Sequence, residues 1–207
     1  MIWLLYMPLN IVCMILGYLT NPIVCLFADE KGELPGFLHY WQTWDDSLNP
    51  RFYVLEHAPK IFRYDYDKHY KEYWGTTPKL AALGRKRCFV HIIDPNFTMK
   101  ERIQRYFCRV LWLYRNCAYG FAFYAFGRFA NGTTCKGFDK RDNAGHRFYA
   151  IWDTYESILT RAWSVKSSMP ITKHIRWEVY LGWKIDPSVD EDRQCMIANR
   201  IAFRFME

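Results

Sequence analysis

From Met1 to Ala28 the chain carries no charged side chain. An uncharged apolar run of that length has two physical destinations, a lipid bilayer or the interior of a folded domain. Taken as a helix, residues 2–20 span about 28 Å, close to the hydrocarbon thickness of a membrane. Pro8 begins or kinks the helix, and Asn21-Pro22 reads as a break, because a residue before proline is pushed out of the helical region. Asn10 is a lone amide that a neighbouring helix would have to satisfy. The flanks do not suit a cleaved signal: there is no basic start and no small-residue cleavage site, and Val12 is too large for lipoprotein processing at Cys13. Residues 1–27 are therefore expected to be a membrane anchor, with Trp3, Leu4, Leu5, Ile11, Ile15 and Leu16 in contact with lipid. A core helix packed beneath a sheet is the rival.

Beyond the anchor, residues 28–207 read as one α+β domain. Aromatic residues make up 19% of the chain, and such rings favour strands and membrane interfaces alike. The net charge of +7 is uneven. Residues 51–147 hold 19 Lys/Arg against 8 Asp/Glu, whereas residues 148–207 balance at 8 of each. A basic middle implies an anionic partner: phospholipid head groups, nucleic acid or an acidic protein. The seven cysteines are odd in number and show no CxxC spacing, so they read as reduced thiols used as small apolar residues. Reduced thiols and the basic excess place the soluble part in the cytoplasm.

Thr98 followed by Glu101 forms a capping-box pattern that starts a helix running to about Arg115. Met99, Ile103, Phe107, Val110, Leu111 and Tyr114 recur at helical spacing, and Arg102, Arg105 and Arg109 make a second row. This basic amphipathic helix is expected on an anionic membrane surface, with Phe107 and Leu111 touching lipid, or across a sheet with its arginines in water. Residues 119–129 form a hydrophobic element too short to span. Residues 131–207 change to period two and read as an antiparallel β-meander of about four strands, from segments 147–152, 158–166, 174–185 and 196–205. In the third, Ile175, Trp177, Val179, Leu181, Trp183 and Ile185 share one face, which is expected to be the buried one.

The densest polar cluster is YDYDKHYKEYW at residues 64–74. In an extended chain Asp65, Asp67 and His69 point the same way and can hold a divalent cation or act as acid and base. Asp94, His91, Asp139, Asp142 and His146 are available as further ligands but not indicated. Asp45-Asp46 reads as a turn or helix cap, and His57 and His174 as structural. The run Arg85, Lys86, Arg87 is a compact basic patch able to meet phosphates, and with Arg102, Arg105 and Arg109 it makes the expected anion-binding set. No phosphate-binding glycine loop, zinc-protease motif or nucleophile elbow occurs.

The segments PLN…NPIV, ADEKGELP, WQTWDDSL, YDYDKHY, WLYRNCAYGF and YLGWK, in this order, resemble a family of uncharacterised small tailed-bacteriophage proteins with an apolar N-terminus. The resemblance covers most of the chain and implies a phage product acting in a bacterial host. It implies no substrate, cofactor or catalytic residue. The expected function is a non-enzymatic interaction module anchored in the host inner membrane. Its partners would be membrane lipid and a host or phage protein. Three alternatives stand beside it: a metal-dependent enzyme on phosphate- or lipid-containing substrates using Asp65, Asp67 and His69, a nucleic-acid binder using the basic middle region, and a component of the virion.

Overall fold

A computed structural model describes residues 2–82, 84–154, 157, 159–172 and 174–205. The chain is α+β. It has a long apolar N-terminal helix α1 (Ile2–Val24), a second long helix α4 (Met99–Arg115) and a C-terminal antiparallel sheet. Between the helices lie the single-turn helices α2 (Tyr66–His69) and α3 (Pro78–Ala82). The strands β1 (Tyr70–Gly75) and β2 (Arg87–Ile92) form a hairpin. After α4 come β3 (Arg128–Ala130), β4 (Cys135–Arg141), β5 (Arg147–Asp153), β6 (Trp163–Pro170), β7 (Ile175–Trp183), β8 (Arg193–Cys195) and β9 (Ile197–Phe205). The chain divides into two compact units, Asn10–Tyr124 and Met1–Leu9 with Ala125–Glu207.

In the unit Asn10–Tyr124, α4 supplies Cys108, Val110, Trp112 and Leu113 to a core with Leu34, Leu48, Val54, Tyr64, Tyr66, Tyr70 and Val90. The capping box is present: Glu101 N–H donates to Thr98 Oγ1 (3.2 Å), and Thr98 N–H donates to Glu101 Oε2 (2.8 Å). The orientation of α4 differs from expectation. Arg105 and Arg109 turn inward while Arg102 stays exposed, and Met99, Ile103 and Phe107 turn outward, exposed by 74%, 50% and 39%. Arg109 is buried: its Nε donates to Asn49 Oδ1 (2.8 Å) and its Nη2 to the carbonyls of Asp29 (2.8 Å) and Glu30 (3.2 Å). Arg105 donates to the Tyr70 hydroxyl (2.9 Å) and lies 4.1 Å over the Phe97 ring. Segment 29–49, which includes a 3-10 helix at Gly36–Trp41, turns the carbonyls of Asp29 and Glu30 and the amide oxygen of buried Asn49 toward α4, and a long guanidinium can donate to all three where an aliphatic side chain could not.

In this unit α1 continues through Asn21-Pro22 to Val24 instead of ending there. Tertiary contacts hold that turn. Asn21 is buried with its amide 3.7 Å from Cys117 Sγ, and the Pro22 carbonyl accepts from the Tyr106 hydroxyl (3.0 Å). Trp41 Nε1 donates to Thr20 Oγ1 (2.9 Å). Gly17 lets the helix approach closely, since a Cβ there would lie 2.6 Å from Cys117 Sγ. The expected hydrophobic element after α4 includes a helical turn, Phe121–Ala125, with Ala122 and Phe123 buried.

In the other unit the meander has five strands in the order β4-β5-β6-β7-β9, all antiparallel, and β3 pairs with β8. Ile158 lies outside the described residues, and the strand expected from it begins at Trp163. Gly182 has φ +101°, a left-handed conformation, where the backbone passes against the Trp163 carbonyl. Beyond it Trp183 is buried, and its Nε1 donates to the Phe126 carbonyl (2.9 Å). Trp3 of α1 is also buried in this unit, with its ring 5.3 Å from Trp163.

Removing the Arg109 side chain would leave the buried Asn49 amide oxygen without its donor, at about 1–3 kcal/mol for an unsatisfied group, and would take one donor each from the Asp29 and Glu30 carbonyls, which keep Gly32 N–H and the Tyr70 hydroxyl. Arg109→Ala is expected to lose about 2 kcal/mol or more in urea unfolding of the detergent-solubilised protein, from the unsatisfied Asn49 and the lost packing of the side-chain stem. A loss under about 1 kcal/mol would show that these bonds do not hold the unit together.

Candidate functional site

The reading of Asp65, Asp67 and His69 as one face fails because Tyr66–His69 is helical rather than extended. In a helix residues two apart point in different directions. Asp65 caps the turn by accepting from Lys68 N–H (3.3 Å). Asp67 takes both arms of Arg51 at 2.6 and 2.8 Å. His69 is fully buried, stacked 3.9 Å from Phe97, between the Asp94 carbonyl (2.8 Å) and Glu101 Oε1 (3.1 Å). Three side chains with three separate partners do not make a metal site.

The expected anion-binding residues also go separate ways. Arg85 stacks over Trp44 and Phe123, Arg87 pairs with Glu33, Arg105 and Arg109 are tied inside the unit, and Lys86 and Arg102 remain exposed. An arginine beside an aromatic core can stack or bond inward as readily as it can face water.

A different polar cluster forms from three chain segments. Donor atoms of Asp46, Glu72 and Cys88 lie within 4.8 Å of one another, the one such grouping among the described residues with a set of donors able to hold a metal ion. Asp46 and Cys88 are buried. Asp46 Oδ1 accepts from Ser47 N–H (2.8 Å), and Glu72 Oε1 accepts from the Tyr66 hydroxyl (2.8 Å) and Arg51 N–H (2.6 Å). Burial, then the charges of Glu72 and Asp45, push the Asp46 carboxyl up to about 8, against the pull of the Ser47 N–H and the Cys88 thiol. Burial first, then Asp46 and Glu72, push the Cys88 thiol up as well, so it is no nucleophile at neutral pH. Two oxygens and one sulfur suit a shared proton or a zinc-like ion. The acid doublet among aromatics at residues 41–46 was its only signal in the sequence.

The exposed side of α1 is apolar. Trp3, Asn10, Gly17, Asn21 and Val24 form the buried stripe of α1. Leu4, Leu5, Ile11, Ile15, Leu16 and Ile23 are exposed, and Leu19 is 71% exposed. Of the expected lipid contacts, Trp3 is buried against Trp163 and Leu111 is half-buried, while Phe107 is exposed. Ile2–Phe27 is the one helix among the described residues long and apolar enough to cross a membrane.

The sheet adds a second bare surface. Directly paired residues share a face. The pairing puts Phe138, Phe148, Met169, Trp177, Ile201 and Phe203 together, all exposed, Ile201 and Phe203 by about two-thirds (66% and 67%). The face expected to be buried is open along this part of its length.

This sequence matches one family model along its whole described length. The chain belongs to the family of unknown function DUF7338, matched over residues 1–206. Neither the curated proteins nor the solved structures give a match. Membership in DUF7338 assigns no chemistry, so the reading of this chain rests on its own geometry.

Asp46 yields a test of the buried cluster. Its folded value of about 8 lies above its ordinary 3.8, so the native state holds a proton that the unfolded chain gives up. Stability therefore falls as pH rises from about 4 to about 8 and levels off above. Asp46→Asn keeps the acceptor for Ser47 and removes the ionisation. Its urea midpoint is expected to decline less than the parent's between about pH 5 and about pH 9. Parallel declines in the two proteins would mean that Asp46 is not protonated in the native state.

Proposed function

We propose that this chain is a membrane-bound, non-catalytic interaction module held on a bilayer by apolar surfaces that its own fold leaves bare. The observation that supports it best is the free face of α1, a row of leucines and isoleucines with no charged residue from Met1 to Ala28. Large contiguous apolar patches are uncommon on water-soluble monomers. The aromatic face of the sheet, with Lys136 and Lys140 alternating with Phe138 along β4, has the mixture of rings and amines suited to a head-group boundary. So does the outward row Met99, Ile103, Phe107 of α4, which has exposed Lys100 and Arg102 beside it.

The helix lies along the bilayer surface rather than threading through it. Trp3, Gly17, Thr20, Asn21 and Pro22 are each tied to the rest of the chain, and withdrawing α1 into hydrocarbon would break those contacts. The setting at a host inner membrane, with the soluble part in the cytoplasm, comes from the resemblance to tailed-phage proteins and from the seven cysteines, none of which is in a disulfide. A metal-dependent enzyme built on Asp65, Asp67 and His69 is not carried forward, since those groups do not converge.

Flotation of purified full-length protein with phospholipid vesicles tests the reading. The parent is expected to rise with the vesicles. Each leucine-sized side chain removed from lipid costs about 2 kcal/mol. Leu4→Lys, Ile15→Lys and Leu19→Lys together should therefore weaken partition by roughly four orders of magnitude and leave the folded variant in the dense fraction. A parent protein that stays monodisperse in detergent-free buffer, as a monomer or as a dimer closed over the sheet face, would overturn the proposal.

A further inference from the structure

The opposite face of the five-stranded sheet is basic. Cross-strand pairing lines up Tyr149, Lys166, Tyr180 and Arg200 in one row and Arg147, Ser168 and Glu178 in the next, with Arg176 beyond. All of these but Tyr149 line an open pocket of about 320 Å³, room for a small phosphate ester. Its lining holds four cations, Arg147, Lys166, Arg176 and Arg200, against the single acid Glu178. Asp139 outside the pocket holds Arg147 with both oxygens, at 2.9 and 2.8 Å. Among the described residues no carboxylate forms an ion pair with Lys166, Arg176 or Arg200.

We propose that this pocket is a binding site for a phosphate-bearing small molecule taken from solution. Two buried polar atoms point to a missing acceptor. Among the described residues Arg176 Nε and Ser168 Oγ have no hydrogen-bond partner. Such groups are costly unless something completes them, and a tetrahedral oxyanion brings several acceptors at once. Lys166 is pre-positioned, its ammonium 4.5 Å from the Tyr180 ring centre and 5.3 Å from that of Tyr149. Burial, then the charge of Arg147, also hold its ammonium below the usual value, and a bound anion would relieve both effects.

The source of the phosphate follows from the strand period. Side chains alternate between faces, so this pocket lies opposite Phe148, Ile201 and Phe203. If those residues rest on lipid, as the proposed function holds, the pocket faces water and cannot reach head groups of that bilayer. This choice of source, though not the anion site itself, depends on the membrane reading.

Calorimetric titration of full-length protein in mild neutral detergent at low ionic strength tests the site, with inorganic phosphate and pyrophosphate as probes. Saturable binding at one site per chain is expected. Arg176→Met and the surface variant Arg200→Met should each weaken it about tenfold or more, while Lys86→Met leaves it unchanged. Circular dichroism confirms that each variant folds. Failure of the folded parent to bind either probe, or binding indifferent to both arginine variants, overturns the site.

Two further arms fix the source. Arg176-dependent binding to vesicles containing phosphatidic acid that free phosphate does not compete would overturn the solution ligand in favour of a lipid head group. Oligonucleotide retardation that phosphate cannot compete would overturn it in favour of nucleic acid. A protein that binds phosphate but does not float keeps the site and discards the membrane reading.

Discussion

The guanidinium of Arg109 decides how α4 sits. A charged fork buried in a core persists only where acceptors surround it, and here the Asn49 amide oxygen and the carbonyls of Asp29 and Glu30 do so. Once Arg109 points inward, the helical period carries Arg105 toward Tyr70 and leaves Met99, Ile103 and Phe107 on the outside. The bare apolar row is thus a consequence of satisfying a polar loop, not of a surplus of hydrophobic residues. The same loop receives the Tyr70 hydroxyl at the Glu30 carbonyl, so the first strand of the hairpin is set by the same group of acceptors.

Much of the architecture was legible because it rests on local signals. The capping box at Thr98 and Glu101, the uncharged start and the strict alternation of residues 174–185 each specify an element without knowledge of its neighbours. What period does not specify is which face is covered. The α4 stripe and the β7 alternation both separate apolar from polar residues correctly, yet Ile103 and Trp177 lie outside and Arg109 inside. Asp65, Asp67 and His69 failed for a related reason. Period two was assumed where one helical turn intervenes, and each side chain found a nearer partner. The Asp46, Glu72 and Cys88 cluster was illegible because its members come from a loop and two strands that meet only in the fold.

The C-terminal sheet shows how a simple alternation can serve two unlike environments. One face collects rings and aliphatic groups, the other arginines, a lysine and tyrosine hydroxyls. In a sandwich the apolar face would be sealed against a second sheet. Here Ile201 and Phe203 stand open beside Trp177, while the polar face keeps two donors waiting. Both observations describe a layer that is finished only when something else is present.

The buried thiols carry a consequence of their own. None of the seven cysteines is in a disulfide, and five of them are buried. Burial pushes the thiols of Cys25 and Cys108 up to about 12, so neither forms the reactive thiolate while the chain is folded. Cys25 follows α1 and Cys108 lies within α4, so each becomes reactive only when its own helix loosens. The rates at which a thiol reagent modifies these two positions would act as separate clocks, timing how often each helix opens without any label being added to the protein.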